Sequence, residues 1–255
     1  MLDLVDVSLI LPAFNERASI GSTIDEAFTY FRNRGIHAQI IVAADGTDGT
    51  RELVREMKSR YPDLDIIGHE ARAGKGRGVR EAVSLARGRV IGYADADNKV
   101  PLDDYDRIQP WLQSFPIVIG SRALELSEIQ RWQPWYRRLG SRGFGHVMQA
   151  IVGVPGIGDT QCGFKFFQRD AAVHLFRLQQ IDGYMFDVEL LALAIRLGYP
   201  IKEVPIRWRD DADSRYSIVT GTLRNLMELV KIRTSVSRLR DCAIVERSVS
   251  TSRIE

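Results

Sequence analysis

The stretch Val7–Gly35, "VSLILPAFNERASIGSTIDEAFTYFRNRG", contains one complete strand-and-helix unit. "VSLILPAF" is an apolar run of strand length. Ile20, Ile24, Phe28 and Phe31 then recur at helical spacing, and Gly35 marks the stop. The same unit returns three times. "AQIIVAA" precedes "DGTRELVREMKSR", "LDIIGHE" precedes "RGVREAVSLARG", and "RVIGYADAD" precedes the Pro101-initiated "PLDDYDRIQPWL". Strands alternating with helices predict an α/β fold with a mostly parallel central sheet flanked by helices. Its ligands belong at the carboxyl ends of the strands.

Beyond Phe115 the alternation loosens. "PIVIGSR", "TQCGFKFF" and "IKEVPIRW" read as strands, and "QPWYRRLGSRGFGHVMQAIVG" and "FDVELLALAIRLG" as helices. "IVTGTLRNLMELVKIRTSVSRLR" reads as an amphipathic C-terminal helix with Leu223, Leu226, Leu229, Val230 and Ile232 near helical spacing. No repeat or linker interrupts the chain. One domain over residues 1–240 is expected, followed by a polar, disordered tail at 241–255.

The 255 residues are 45% hydrophobic and 27% charged with a net charge of +2, so nothing in the balance calls for nucleic acid. Cys162 and Cys242 form no C-x-x-C and share no metal-like spacing with His37, His69, His146 or His174, which argues against zinc and a disulfide framework. A reducing, cytosolic compartment is expected. No apolar stretch approaches the ~20 residues of a membrane span.

Three strand ends carry polar groups. Asp95 and Asp97 in "YADADNK" would point the same way if strand geometry persisted that far, and two convergent carboxylates suit Mg²⁺ or Mn²⁺ that completes its shell with substrate phosphate. Taken alone, a D-x-D is more often a solvated turn. "ARAGKGRGVREA" puts glycines at a strand-to-helix turn, where backbone N–H groups can approach phosphate. It meets neither the Walker A nor the dinucleotide pattern, and a flexible basic turn is the plain alternative. "VAADGTDGTRE" has acidic and glycine residues that turn and N-cap chemistry also explains. Together with "LPAFNER" after the first strand, these segments line one sheet edge.

"VSLILPAFNE", "DGTDGT", "AGKG", "YADAD", "VIGSR", "DTQCGFK", "GYMFDVELL" and "EVPIRW" occur in an order and spacing that resemble the family 2 glycosyltransferases, most closely the dolichyl-phosphate mannose synthase and dolichyl-phosphate glucosyltransferase branch. The resemblance spans about Val7 to Arg215. It implies the Rossmann-like GT-A fold, a nucleotide-sugar donor such as GDP-mannose or UDP-glucose, a divalent metal and inverting transfer. By position, it implies that Pro12, Phe14 and Glu16 flank the base and ribose, with Asp45 reading the base. Asp95 and Asp97 would hold the metal and diphosphate beside the Ala96 backbone. Arg122, Arg209 and Arg215 match positions where the family places cations for donor or acceptor phosphate, Arg122 among the catalytic residues, and Lys75 and Gln161 are expected to bind substrate.

Two departures stand out. Ala43 and Ala44 replace the usual paired aspartates, with a one-residue shortening before Asp48 that bears on the role of Asp45. Lys99 stands where mannose synthases have Gln, so that ligand is either replaced by water or exchanged for a direct contact between Lys99 and phosphate.

The acceptor implied by the resemblance is a polyprenyl or dolichyl phosphate at the cytosolic membrane face, reached by peripheral attachment with or without a membrane-spanning partner. Arg131, Arg137, Arg138 and Arg142 lie among Trp132, Trp135, Tyr136 and Phe144, a composition suited to a membrane interface, although a solvated basic helix face has the same composition. The C-terminal helix adds Arg224, Lys231, Arg233, Arg238 and Arg240. A phosphate acceptor is already anionic, whereas an alcohol would need a base, for which Asp159 leads Asp187 and Glu189. Gly163, Phe164 and Lys165 are expected to shape the acceptor side. The competing expectations are a soluble sugar or alcohol acceptor, a nucleotidyltransferase, and an inactive nucleotide-sugar-binding or scaffold protein.

Overall fold

A computed structural model of the chain describes residues 4–130, 148–209 and 224–239. The strands are β1 Val5–Phe14, β2 Ala38–Asp45, β3 Leu64–Ile67, β4 Gly88–Ala94, β5 Ile117–Ser121, β6 Glu128–Gln130, β7 Phe164–Gln168, β8 Ile201–Pro205 and β9 Arg207–Arg209. The helices are α1 Ile20–Asn33, α2 Thr50–Met57, α3 Lys75–Val83, the single turn α4 Tyr105–Ile108, α5 at 148–152, α6 Arg169–Leu178, α7 Phe186–Arg196 and α8 at 224–239.

Seven strands form one sheet in the order β3-β2-β1-β4-β7-β5-β8, and β6 pairs with β9 in a small second one. All neighbours in the large sheet are parallel except β7, which runs antiparallel between β4 and β5. Strand alternation explains the continuous apolar runs. Leu9, Leu11, Ile40 and Val42 face a core built with α1, while Ile10 and Ile41 face another built with α3, α6 and α7. Each of these side chains is at most 1% exposed, and each fully buried Leu or Ile contributes about 1.5–3 kcal/mol.

Four local expectations change. "PLDDYDRIQPWL" forms 3-10 turns at Leu102–Asp104 and Gln109–Gln113 around α4, because Pro110 has no N–H to continue an α-helix. "IKEVPIRW" divides into β8 and β9 on different sheets, since Pro205 cannot continue the ladder as a donor. Residues 169–178 form α6, an element with no counterpart in the sequence reading. In α8 the buried face is Asn225, Leu229 and Ile232, while Leu226 and Val230 are exposed and Leu223 lies outside the described residues. Among the described residues no helix is long and apolar enough to cross a membrane.

Candidate active site

The carboxyl ends of β1, β2, β4 and β5 and the start of β7 build the site. β4 ends at Ala94. Asp95–Asn98 form a turn in which Asn98 N donates to Asp95 O at 3.3 Å and Asn98 adopts a φ of 52°. Strand alternation therefore does not reach the D-x-D, and the turn rather than the pleat aims its carboxylates. Asp95 Oδ1 is 2.5 Å from Lys75 Nζ, and Asp97 Oδ2 is 2.9 Å from Lys99 Nζ. The Ala96 carbonyl accepts from Thr23 Oγ1 at 3.1 Å, tying the turn to α1.

Gly163 leaves the Asp95 carboxylate its room. Asp95 N donates to its carbonyl at 3.0 Å, and a β-carbon at that position would overlap the Asp95 carboxylate. The expected acceptor-side residue thus packs directly on the D-x-D.

Lys75 opens α3, and Gly74 before it has a φ of 113° that a residue with a side chain rarely adopts. Two of the N–H groups offered as a phosphate cradle, those of Ala73 and Gly74, are already engaged. Asp45 Oδ2 accepts from Ala73 N at 2.7 Å and Gly74 N at 3.4 Å, and Asp45 Oδ1 accepts from His69 N at 3.1 Å. The buried Asp45 carboxylate thereby organises the β3–α3 loop. Burial opposes the charge on Lys75, but Asp95 and then Asp187 outweigh it and raise its pKa.

The loops after β1 and β2 are stitched together. Arg17 N donates to Asp48 Oδ2 at 3.0 Å, Glu16 N to Thr50 Oγ1 at 3.1 Å, and Thr47 N to Asn15 Oδ1 at 3.1 Å. Pro12 lies in register with Ala43. Phe14 carries the Arg72 guanidinium 4.4 Å above its ring, and Arg72 donates to Tyr184 Oη at 2.8 Å. Arg72 and Tyr184 did not emerge from the sequence reading. Arg72 was visible in "ARAGKG", but Tyr184 joins it only through folding.

On the other side, Asp159 is 8% exposed and accepts from Arg122 N, Nε and Nη2 at 2.7–2.9 Å. Burial would raise its pKa, but hydrogen bonds and charge from Arg122 prevail and lower it. Such a carboxylate anchors a guanidinium and is a poor proton acceptor. Gln161 N also donates to Asp159, and Arg122 lies over the Trp208 ring at 5.4 Å. Burial, reinforced by Asp159, pushes the Cys162 thiol up to about 12.

The other two candidate bases are also engaged. Asp187 Oδ1 is 2.6 Å from Lys165 Nζ and accepts from the Tyr93 hydroxyl, all three groups lying in the core. Burial and then Asp187 raise the Tyr93 pKa. Lys165 is fully buried and also donates to the Cys162 carbonyl at 2.6 Å, so both it and Phe164 belong to the sheet interior. Glu189, 1% exposed, accepts from Gln180 N and Ile181 N; burial raises its pKa. Arg209 is exposed on β9 and its N–H donates to the Lys99 carbonyl at 2.9 Å. Arg215, the 131–144 basic-aromatic cluster, Arg240 and the tail lie outside the described residues.

The donor set fits a hard divalent cation that shares its shell with water and phosphate. It offers two carboxylates, no thiolate and no imidazole, and two ammonium groups sit against those carboxylates as stand-in cations. Among the described residues no group of three or more His, Cys, Asp or Glu side chains is placed to hold an ion by itself.

A mostly parallel sheet with polar groups gathered at its carboxyl edge is the frame on which open α/β proteins bind ligands, and its solved neighbours identify this one as the GT-A glycosyltransferase fold. The chain belongs to glycosyl transferase family 2, whose family model matches residues 8–176, and is a nucleotide-sugar-dependent glycosyltransferase. It is 34% identical over 241 residues to the dolichyl-phosphate beta-glucosyltransferase ALG5C of Trichomonas vaginalis, covering 89% of this chain and 71% of that one. It is 33% identical to the dolichyl-phosphate beta-glucosyltransferase of Mus musculus, covering 89% and 74%. Among solved structures, glucosyl-3-phosphoglycerate synthase of Mycobacterium tuberculosis in complex with Mn²⁺ and UDP-glucose aligns with a TM-score of 0.61. That alignment has 18% identity and covers 90% of this chain and 79% of that one, a likeness of fold.

Proposed function

We propose that the protein transfers glucose from UDP-glucose to dolichyl or another polyprenyl phosphate, inverting the anomeric centre, while attached peripherally to the cytosolic face of a membrane. The choice of glucose and of a lipid phosphate is supported by relatives at 33–34% identity over 89% of the chain. The observation that carries the acceptor class is the engagement of Asp159, Asp187 and Glu189 in ion pairs or backbone hydrogen bonds. A phosphate monoester has its second pKa near ~6 and attacks as a dianion, so it needs none of them as a base; an alcohol would.

One phosphate oxygen forms the new bond to the anomeric carbon as the bond to the UDP diphosphate breaks from the opposite face, and UDP departs with the electron pair. Mg²⁺ or Mn²⁺ held by Asp95 and Asp97 would neutralise charge on that leaving diphosphate. Lys75, Lys99 and Arg122 line the same edge and offset phosphate charge, with Asp159 fixing Arg122 in place. Arg209 adds a cation at the rim. Phe14 and Arg72 offer a flat cationic face to a nucleobase, and the Asp45-held loop keeps Lys75 in position.

The test is transfer of radiolabel from UDP-glucose and from GDP-mannose to a short polyprenyl phosphate, with a soluble phosphorylated acceptor in parallel. Glucolipid from UDP-glucose alone is the expected outcome. Mannolipid would overturn the donor, and product only on the soluble acceptor would overturn the lipid.

A further inference from the structure

The D-x-D carboxylates each have a lysine partner. Lys75 Nζ is 2.5 Å from Asp95, and Lys99 Nζ is 2.9 Å from Asp97. Two negative charges are thus matched by two positive ones within the protein. Neither pair is incidental to a loose surface. The Lys75 side chain is 16% exposed and starts a helix whose backbone is pinned by Asp45 and by close packing of Gly76 on Phe186. Lys99 also donates its N–H to Asp97 Oδ1 at 3.3 Å, and its carbonyl is held by Arg209 N.

A divalent ion arriving alone meets carboxylates that are already neutralised and two ammonium groups that repel it, and among the described residues no third acidic side chain joins the two to hold it. A nucleotide diphosphate changes this balance, because its oxygens accept the ammonium groups and free both carboxylates. We propose that Lys75 and Lys99 are resident counter-cations that keep metal out until the diphosphate arrives, so that metal and nucleotide bind as a coupled pair. The inference rests on the assignment of Asp95 and Asp97 as the metal site. Coupling is reciprocal, so each ligand raises the affinity for the other by one common factor.

The test is Mn²⁺ binding, read from the electron paramagnetic resonance signal of free Mn²⁺, with and without saturating UDP. It is run in the unaltered protein, Lys75→Met, Lys99→Met and Asp97→Ala. UDP is expected to tighten Mn²⁺ binding at least tenfold in the unaltered protein. Either lysine variant is expected to bind Mn²⁺ more tightly without UDP and to show a smaller UDP effect. Lys99→Met, on a turn outside the sheet, keeps the proposal testable if Lys75→Met fails to fold. Equal Mn²⁺ affinity with and without UDP, or nucleotide-free affinity unchanged in the folded lysine variants, overturns the counter-cation role. Failure of the unaltered protein to bind Mn²⁺ even with UDP, or undiminished binding by Asp97→Ala, instead overturns the metal site itself.

Discussion

Lys165 and Asp187 meet in the core with side chains 0% and 4% exposed, whereas the partners in Lys75–Asp95 and Lys99–Asp97 are 16–40% exposed. All three pairs join an ammonium to a carboxylate at 2.5–2.9 Å. Distance does not separate them, but access to water does. In the core neither charge can turn to water, and the Cys162 carbonyl and Tyr93 hydroxyl hold the two groups further in place, so the pair fastens β7 to α7. At the rim water competes for both groups, and the same pairing becomes exchangeable.

The strongest way to break this comparison is Asp187→Ala, which leaves the Lys165 ammonium and Tyr93 hydroxyl in the core without their carboxylate. A loss of about 3–5 kcal/mol is expected in denaturant unfolding, with substantial recovery when Lys165→Met and Asp187→Leu are combined. A change below ~1 kcal/mol would place the pair with the surface bridges. Asp97→Ala should do the reverse. Transfer is expected to fall about 10²–10³-fold, or roughly 2.7–4 kcal/mol of barrier, while the unfolding midpoint barely moves; a large midpoint shift would make the rim structural.

Gly163→Ala sharpens the boundary between the two regions. Overpacking typically costs about 1–3 kcal/mol, and here the group that yields is Asp95, so transfer should suffer more than stability. Comparing both readouts against Gly158→Ala, which faces no D-x-D carboxylate, checks this.

A smaller effect concerns acid. Because the folded pKa of Asp159 is lowered, its pairing with Arg122 stabilises the fold above the ordinary carboxylate range near ~4 and ceases to do so as pH falls through the lowered value. Asp159→Asn should flatten the acid limb of a stability–pH curve. The least effect is expected from Asp106→Asn, because Arg34 and Asp106 are 34% and 48% exposed. Less than ~1 kcal/mol should be lost, by the same unfolding measurement.

The parallel half of the sheet was legible because Leu9, Ile10 and Leu11, or Ile40, Ile41 and Val42, can form an uninterrupted apolar run only if both faces are buried. The antiparallel placement of β7 was not. "FKFF" has the same local pattern whichever way it runs, and only its register with Ile91 and Ile117 fixes the direction. The D-x-D stands out in the sequence as two neighbouring carboxylates after an apolar run, whereas its lysine partners required folding: Lys75 lies twenty residues before Asp95 in the numbering and reaches it across α3 and β4. Asp104 shows the same limit. It reads as one acid in "PLDDYD", yet it is fully buried and receives Arg207 N at 2.6 Å and Nε at 2.7 Å from a distant strand.

The placement of β7 has a further consequence. The chain leaves the sheet at Ser121 and returns at Phe164 on the adjacent strand, so residues 122–163 form an excursion whose two ends are fixed side by side. β6 within it pairs with β9, and Asp159 and Gly163 near its end hold Arg122 and Asp95, so a change of length between Gln130 and Asp159 is the kind that leaves the register of the seven-stranded sheet in place, at a closure cost that grows only slowly with length. Asp45 sits on the β1–β3 side of the sheet, away from that excursion, whereas the D-x-D is tied to its end through the hydrogen bond from Asp95 N to the Gly163 carbonyl. The fold thus leaves one stretch of chain room to vary between fixed ends, and differences in length among chains of this architecture are expected to gather there rather than in the strands.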